Sequence, residues 1–426
     1  MAEIRPFRAW RYNFNKIHDP SAVVAPPYDV ISKEEQERLY QASPYNVIRL
    51  ELGKPTSCDT DTDNVYTRAQ AFMREWKESE VLAREDAPAL YIYVQDYPEE
   101  GKNKTRIGFY AAMKLDEKAV LKHENTLTGP KEDRLKLLKE VRANLSPIFG
   151  LFEDKKGIVQ SQLKKIIRQD PLMDISAQGV RHRLYKEERP AVVQAVVRAM
   201  GPKPMFIADG HHRFEVACQY KKWRRSQAGA SSNGRAENWE YVMAYFSDCR
   251  HNPFKIFPTH RLIRLAKGKE LLKELQKIGT LKKLPDLKAV LAPLDQCRED
   301  AKDKGYRFGL YSAKEGFWLL TLNAKTASSI KKDPVQKLDV AVLHKKILEP
   351  CFDIRAVERC PDIDFTRDAK EAVEKVKSGL FDAAVFLRPT SLNEMLYVSK
   401  KGLKMPQKST YFYPKLLTGL VFHDVA

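Results

Sequence analysis

Apolar runs of strand length alternate with runs of helical spacing through most of this chain, and that alternation restricts it to a mixed α/β (α+β) fold. Strands are predicted at Ile4–Trp10, Ala89–Asp96, Thr105–Leu115, Arg181–Tyr185, Pro204–Ala208, Glu240–Phe246, Arg307–Ser312, Phe317–Leu322 and Ala383–Leu387. Between them, helices are expected from Ser32, over Asn64–Ser79, Lys131–Arg142, Ile158–Arg168, Pro190–Met200, Lys269–Ile278, Val340–Leu348 and Arg367–Ser378. Ser32 supplies a cap for the first, with Glu35 placed to complete a capping box. In the second, Val65, Ala69, Phe72, Met73 and Trp76 share one face. The pair Pro26-Pro27 excludes a helix where it stands.

A chain of 426 residues exceeds what one core accommodates. We expect an N-terminal α/β region over 1–150 and a second region over 151–426, with the boundary between 150 and 200. Residues 226–238, rich in Ser, Gly, Ala and Asn, are expected to form a mobile surface loop.

No apolar run reaches the roughly 18 residues that span a bilayer, and the stretch Met1–Phe7 lacks the apolar core of a signal peptide. A cytoplasmic protein with no membrane partner is the expectation. The six cysteines show no CxxC pair and no disulfide framework, which suits reduced and mostly buried thiols. The net charge of +18 invites an anionic partner, but many lysines alternate with acids in helical stretches such as 155–168, 267–283 and 370–377. Solvated helix faces account for them, so nucleic acid is disfavoured and a small anionic or phosphorylated substrate is preferred.

The strongest candidate site is Asp209-Gly210-His211-His212-Arg213, where an apolar strand ends and a helix with apolar Phe214, Val216 to Cys218 and Tyr220 begins. The first N–H groups of such a helix lie at the positive end of its dipole and seat phosphate or carboxylate. Gly210 would let a ligand approach the backbone, Arg213 adds a fixed fork of donors, and His211 or His212 titrates near neutrality. The bland reading is that Asp209 caps the helix and Gly210 relieves a turn.

Three further groups are Tyr28-Asp29 after the two prolines, His123-Glu124 with Arg134 following, and Pro258-Thr259-His260-Arg261. Tyr28, His123, Arg134, His260 and Arg261 are candidate phosphate ligands beside Gly210 and Arg213. Asp29, Glu124 and Asp209 are candidate bases, and His211 and His212 candidate proton donors. Asp209, His211, Asp29 and Glu124 leave room for an ion, but no spacing such as HExxH supports zinc, and no metal ligand is assigned. Walker, GxGxxG and GxSxG motifs are absent from the sequence.

In this order the four stretches resemble the uncharacterised bacterial and archaeal family called domain of unknown function ten-fifteen. The Asp-Gly-His-His-Arg run is also similar to the motif of the ParB and sulfiredoxin superfamily, which includes free-serine kinases. That resemblance implies a ParB/sulfiredoxin-like strand-turn-helix core with further α/β elements. It also implies a phosphate seat formed by the backbone after Gly210 and by Arg213. Sulfiredoxin has a cysteine where this chain has His211, so its redox chemistry is not implied. The expected activity is phosphoryl transfer, as a kinase or phosphatase, on a small hydroxy metabolite such as serine or phosphoserine, with ATP or ADP and magnesium as cofactors. The alternative is a non-catalytic ParB-like nucleotide- or nucleic-acid-binding protein.

Overall fold

The computed structural model describes residues 3–99, 101–125, 128–228, 237–298, 300, 305–331, 333–355, 357 and 360–426. The chain divides into two compact units, one made of 1–122, 126–254 and 414–426, the other of 123–125 and 255–413. The boundary expected between 150 and 200 falls inside the first unit. There Ile148–Phe152 pairs with both Met205–Asp209 and Tyr241–Asp248, and a sheet is not cut between hydrogen-bonded neighbours. The loop expected over 226–238 lies largely outside the described residues.

Unit 1 is built on a nine-stranded sheet. Its order is Val120–Leu121, Met205–Asp209, Ile148–Phe152, Tyr241–Asp248, Lys102–Lys114, Leu90–Glu99, Val180–Glu187 and Met173–Ala177, with Ile4–Arg5 added on Lys102–Lys114. Two of its pairings are parallel, and both lie at the end that carries Met205–Asp209. The central strands are buried on both faces, which explains why Tyr241–Asp248 reads as a continuous apolar run rather than an alternation. Helices Ile158–Ile166, Pro190–Met200 and His211–Ala228 cover the sheet, and the core contains Val159, Leu163, Val196, Phe109, Phe246 and Phe214.

A second apolar cluster gathers Tyr12, Val47, Leu50, Met73, Trp76, Leu137 and Phe422. Helix Val65–Glu78 contributes Ala69, Met73 and Trp76, the spacing read from the sequence. Asn64 caps it and Thr67 returns the bond, closing a capping box. At Ser32 the outcome is narrower. The hydroxyl accepts from the Glu35 N–H, but the Glu35 carboxylate is engaged by Arg38 and Gln178 rather than by the Ser32 backbone.

Unit 2 holds a six-stranded antiparallel sheet, ordered Gly279–Leu284, Gly316–Leu322, Arg307–Ser312, Ala383–Phe386, His260–Ile263 and Ile363–Thr366. Helix Ala369–Lys377 packs Ala372, Val373 and Val376 on it and leaves Lys370 and Lys377 exposed, as the charge pattern requires. The helix predicted over 340–348 divides into Asp339–Val342 and a π-helix, Leu343–Leu348.

Among the described residues, no helix is long and apolar enough to cross a membrane. All six cysteines are thiols outside any disulfide, with Cys218, Cys297 and Cys351 buried and Cys58 exposed.

Candidate functional site

Strand Met205–Asp209 runs up through the core, slips register at the last step beside Ile148–Phe152, and delivers Asp209 to the sheet edge. Such an irregularity re-aims a side chain at a strand end. Gly210 takes a left-handed backbone, φ +90°, and the helix begins at His211. Its first ladder bond runs from the Phe214 N–H to the Gly210 carbonyl, so the amides of residues 211 to 213 precede the helix's own ladder. The strand, turn and helix stand as the sequence predicted.

The role of Gly210 differs from the expectation. A side-chain carbon at 210 would lie 3.1 Å from the Arg213 guanidinium carbon and Nε. The space above the glycine is therefore filled by Arg213 folded back on its own turn, not by open room for a ligand. Arg213 donates to the Pro147 carbonyl and, at 3.1 Å, to Asp209. Lys415 lies 3.3 Å from the other Asp209 oxygen. Burial pushes the Asp209 carboxyl up, but Lys415 and Arg213 outweigh it and hold it below the ordinary carboxylate range.

Beside this bracket stands a residue that sequence reasoning passed over. Ile48 and Leu50 of the short helix Ile48–Glu51 and Val47 just before it are fully buried, and they draw Glu51 inward until it is 4% exposed. Asn46 anchors that helix, accepting from the Ile48 N–H and donating to the carbonyls of Ala22 and Val24. Ser146 donates to the Glu51 carboxylate at 3.0 Å, and Arg134 lies 3.7 Å from it. Burial nonetheless prevails over Arg134, Arg213 and Ser146, so the Glu51 carboxyl titrates above its usual range.

Arg134 is fixed on three sides. It donates to the Glu51 carbonyl at 2.6 Å, pairs with Asp133 at 2.6 Å, and lies over the Tyr28 ring at 4.5 Å. Burial lifts the Tyr28 hydroxyl to about 12, so it is a neutral donor. Asp29, next to it, is exposed, and its charge acts on Arg213 together with those of Asp209 and Glu51. A cleft in unit 1 is lined by Glu51, Arg134, Asn144, Ser146 and Arg213 with apolar Leu137 and Val216. Unit 1 thus brings together six predicted residues, Tyr28, Asp29, Arg134, Asp209, Gly210 and Arg213, and adds Glu51 and Lys415.

His211, at 4% exposure, is buried at the helix start, and His212 is half-buried. The remaining candidates belong to unit 2. His123 meets the Thr410 hydroxyl at 3.1 Å, Glu124 accepts from the Lys408 N–H, and Arg261 donates to the Lys408 carbonyl. These two predicted stretches therefore hold the same segment, 405–410, in place. His260 and Arg261 open the strand His260–Ile263 and are both buried.

A two-unit α/β protein with a cleft lined by Glu51, Arg134 and Arg213 beside a strand-turn-helix junction is the class these features define. The chain belongs to the family described as protein of unknown function DUF1015, whose model matches residues 4–341. No curated protein matches it. Among solved structures it is similar to free serine kinase in complex with AMP, at 14% identity and a TM-score of 0.34, covering 71% of this chain and 86% of that one. A mutant of free serine kinase in complex with ADP matches at 13% identity and a TM-score of 0.35, covering 71% and 87%. A conserved hypothetical protein from Pyrococcus furiosus matches at 12% identity and a TM-score of 0.34, covering 72% and 92%.

Proposed function

We propose that unit 1 catalyses phosphoryl transfer on a small hydroxy metabolite, of the type of serine or phosphoserine, with ATP or ADP as the nucleotide. The observation that carries the reading is Glu51: a buried carboxylate, titrating above its normal range, 3.7 Å from the Arg134 guanidinium and lining one cleft with Arg213. A base raised toward neutrality is suited to accept a hydroxyl proton, and an acidic surface carboxylate is not. Phosphoryl transfer in turn asks the protein mainly for positioning and fixed positive charge.

In the forward direction Glu51 takes the proton of the substrate hydroxyl as its oxygen bonds to phosphorus, and the bond from phosphorus to the nucleotide oxygen breaks. Arg213, pinned by Asp209 and Pro147, and Arg134, pinned by Asp133 and the Glu51 carbonyl, need no reorganisation as charge moves. The amides of residues 211 to 213 add partial positive charge on the phosphate side. Asp209 is occupied by Lys415 and Arg213, which makes it a positioning residue, and the proton-accepting role passes to Glu51.

Magnesium, when bound with the nucleotide, would neutralise phosphate charge. Asp29 is the carboxylate suited to hold it, because it is exposed while Asp209 and Glu51 are engaged by cations and a hydroxyl. His211 or His212 would return a proton to the leaving oxygen in the reverse direction.

The test is incubation of the protein with ATP or ADP and magnesium, with and without serine or phosphoserine, followed by phosphate release or transfer. Glu51→Gln should lower the rate by about a hundredfold or more, the loss typical of removing a positioned general base. A rate unchanged in Glu51→Gln would remove Glu51 from the chemistry. Duplex DNA binding that survives Asp209→Ala would instead favour the non-catalytic alternative.

A further inference from the structure

Unit 2 contains a fully buried guanidinium that has no acidic partner among the described residues. Arg261, 0% exposed, donates to the Thr259 carbonyl through Nη1, while Nη2 reaches only the His344 imidazole and the Lys408 carbonyl, each at 3.4 Å. Nε meets no acceptor. Among the described residues no carboxylate lies against it, and burial alone pulls it down to about 9. An uncompensated buried charge is among the costliest arrangements a fold can hold.

The same unit shows what a structural arginine looks like. Arg388, 2% exposed, places all three nitrogens on carbonyls, Nε and Nη2 on Pro293 at 3.2 Å and Nη1 on Gly305 at 3.0 Å. Arg261 is anchored at one corner and underserved along the opposite edge. That edge, Nε with Nη2, is the face on which a guanidinium grips two oxygens of one carboxylate or phosphate. The groups around it are neutral or cationic. His344 lies in the π-helix Leu343–Leu348 and is held uncharged by burial, and the adjoining His260 leaves its own buried Nδ1 without a partner. The Phe365 ring lies 5.3 Å from the guanidinium.

We propose that Arg261 is the receptor of a small oxyanion, a carboxylate or a phosphate group, that binds in unit 2 along the Nε and Nη2 edge, with His344 displaced from Nη2 as it enters. This inference stands on unit 2 alone and does not rest on the chemistry of Glu51.

Arginine Nε–H resonances of the full-length protein, labelled with ¹⁵N, test it directly. The Arg261 signal is the one missing from Arg261→Lys, and titrations with inorganic phosphate and with acetate separate the two ligand sources. The Arg261 signal should move on saturation with one of them, in wild type and equally in Arg213→Ala, which removes an anion ligand of unit 1. Arg261→Lys should bind that anion at least tenfold more weakly, while His344→Ala, which frees Nη2, should bind it at least as well as wild type. If the Nε signal of wild type stays fixed in both titrations, or if Arg261→Lys binds both anions like wild type, Arg261 is only a staple and the proposal fails. The wild-type titration decides the matter even if a variant does not fold.

Discussion

Glu51 is where stability and activity pull in opposite directions. Its folded-state carboxyl is raised, so the stability it confers is complete below the unfolded carboxylate range and is lost as pH rises through the folded value. Above the folded value the ionised group is buried at a net cost, and Glu51→Gln removes the charge while keeping an acceptor for Ser146. We expect Glu51→Gln to melt at or above the wild-type temperature at pH 8, with the gap closing on acidification below pH 5. A variant several degrees less stable at pH 8 would show that Arg134 and Arg213 outweigh burial. Asp209 has the opposite sign. Its carboxyl is lowered, so its contribution is present at neutral pH and is lost as pH falls through the folded value. Asp209→Asn leaves Lys415 and Arg213 without their anion and should cost about 1–3 kcal/mol in denaturant melts at pH 7, less at pH 3.

The strand-turn-helix at 205–228 is the element on which the site is mounted. Gly210 is needed there twice over, for its backbone and for the space it cedes to Arg213. Gly210→Ala should destabilise the protein by about 1–3 kcal/mol through backbone strain and should reproduce the functional loss of Arg213→Ala, because the methyl group displaces the guanidinium. A Gly210→Ala protein with wild-type melting and activity would contradict this placement. This element was legible because each of its signals is local: apolar strand, Asp-Gly turn, and apolar spacing through Phe214, Val216 and Tyr220. Glu51 was hidden because a charge in the run Val47-Ile-Arg-Leu-Glu-Leu52 reads as solvated until the surrounding apolar residues are known to be buried. Strands Met173–Ala177, Gly279–Leu284 and Ile363–Thr366 escaped for a related reason. They are short, with polar residues that are exposed or, in Ile363–Thr366, half-buried at Asp364, and tertiary pairing rather than propensity makes them.

For the whole molecule, chain order is a poor guide to the units. Residues 414–426 return to unit 1 after the whole of 255–413, carrying Lys415 to Asp209 and Phe422 to the cluster of Trp76 and Tyr12. No local pattern announces such a return, which is why a boundary expected from chain length and element order fell inside a sheet. The tail buries Leu416, Leu417, Leu420, Val421, Phe422 and Val425. At roughly 1.5–3 kcal/mol for each large buried side chain, its removal rivals the 5–15 kcal/mol by which a domain is stable. A chain ending at Tyr413 should therefore lose cooperative melting of unit 1. Native-like melting of that truncated chain would contradict the assignment of the tail to the unit 1 core.

The central claim is that Arg213, held by Asp209 and Pro147 over Gly210, supplies fixed charge to a transferring phosphoryl group. The most direct test is the rate of phosphate release or transfer from nucleotide, with magnesium and serine or phosphoserine, in wild type and Arg213→Ala at matched folded concentration. A fall of about a hundredfold or more is predicted, the scale set by removal of one preorganised electrostatic donor. Equal rates in the two proteins would contradict it.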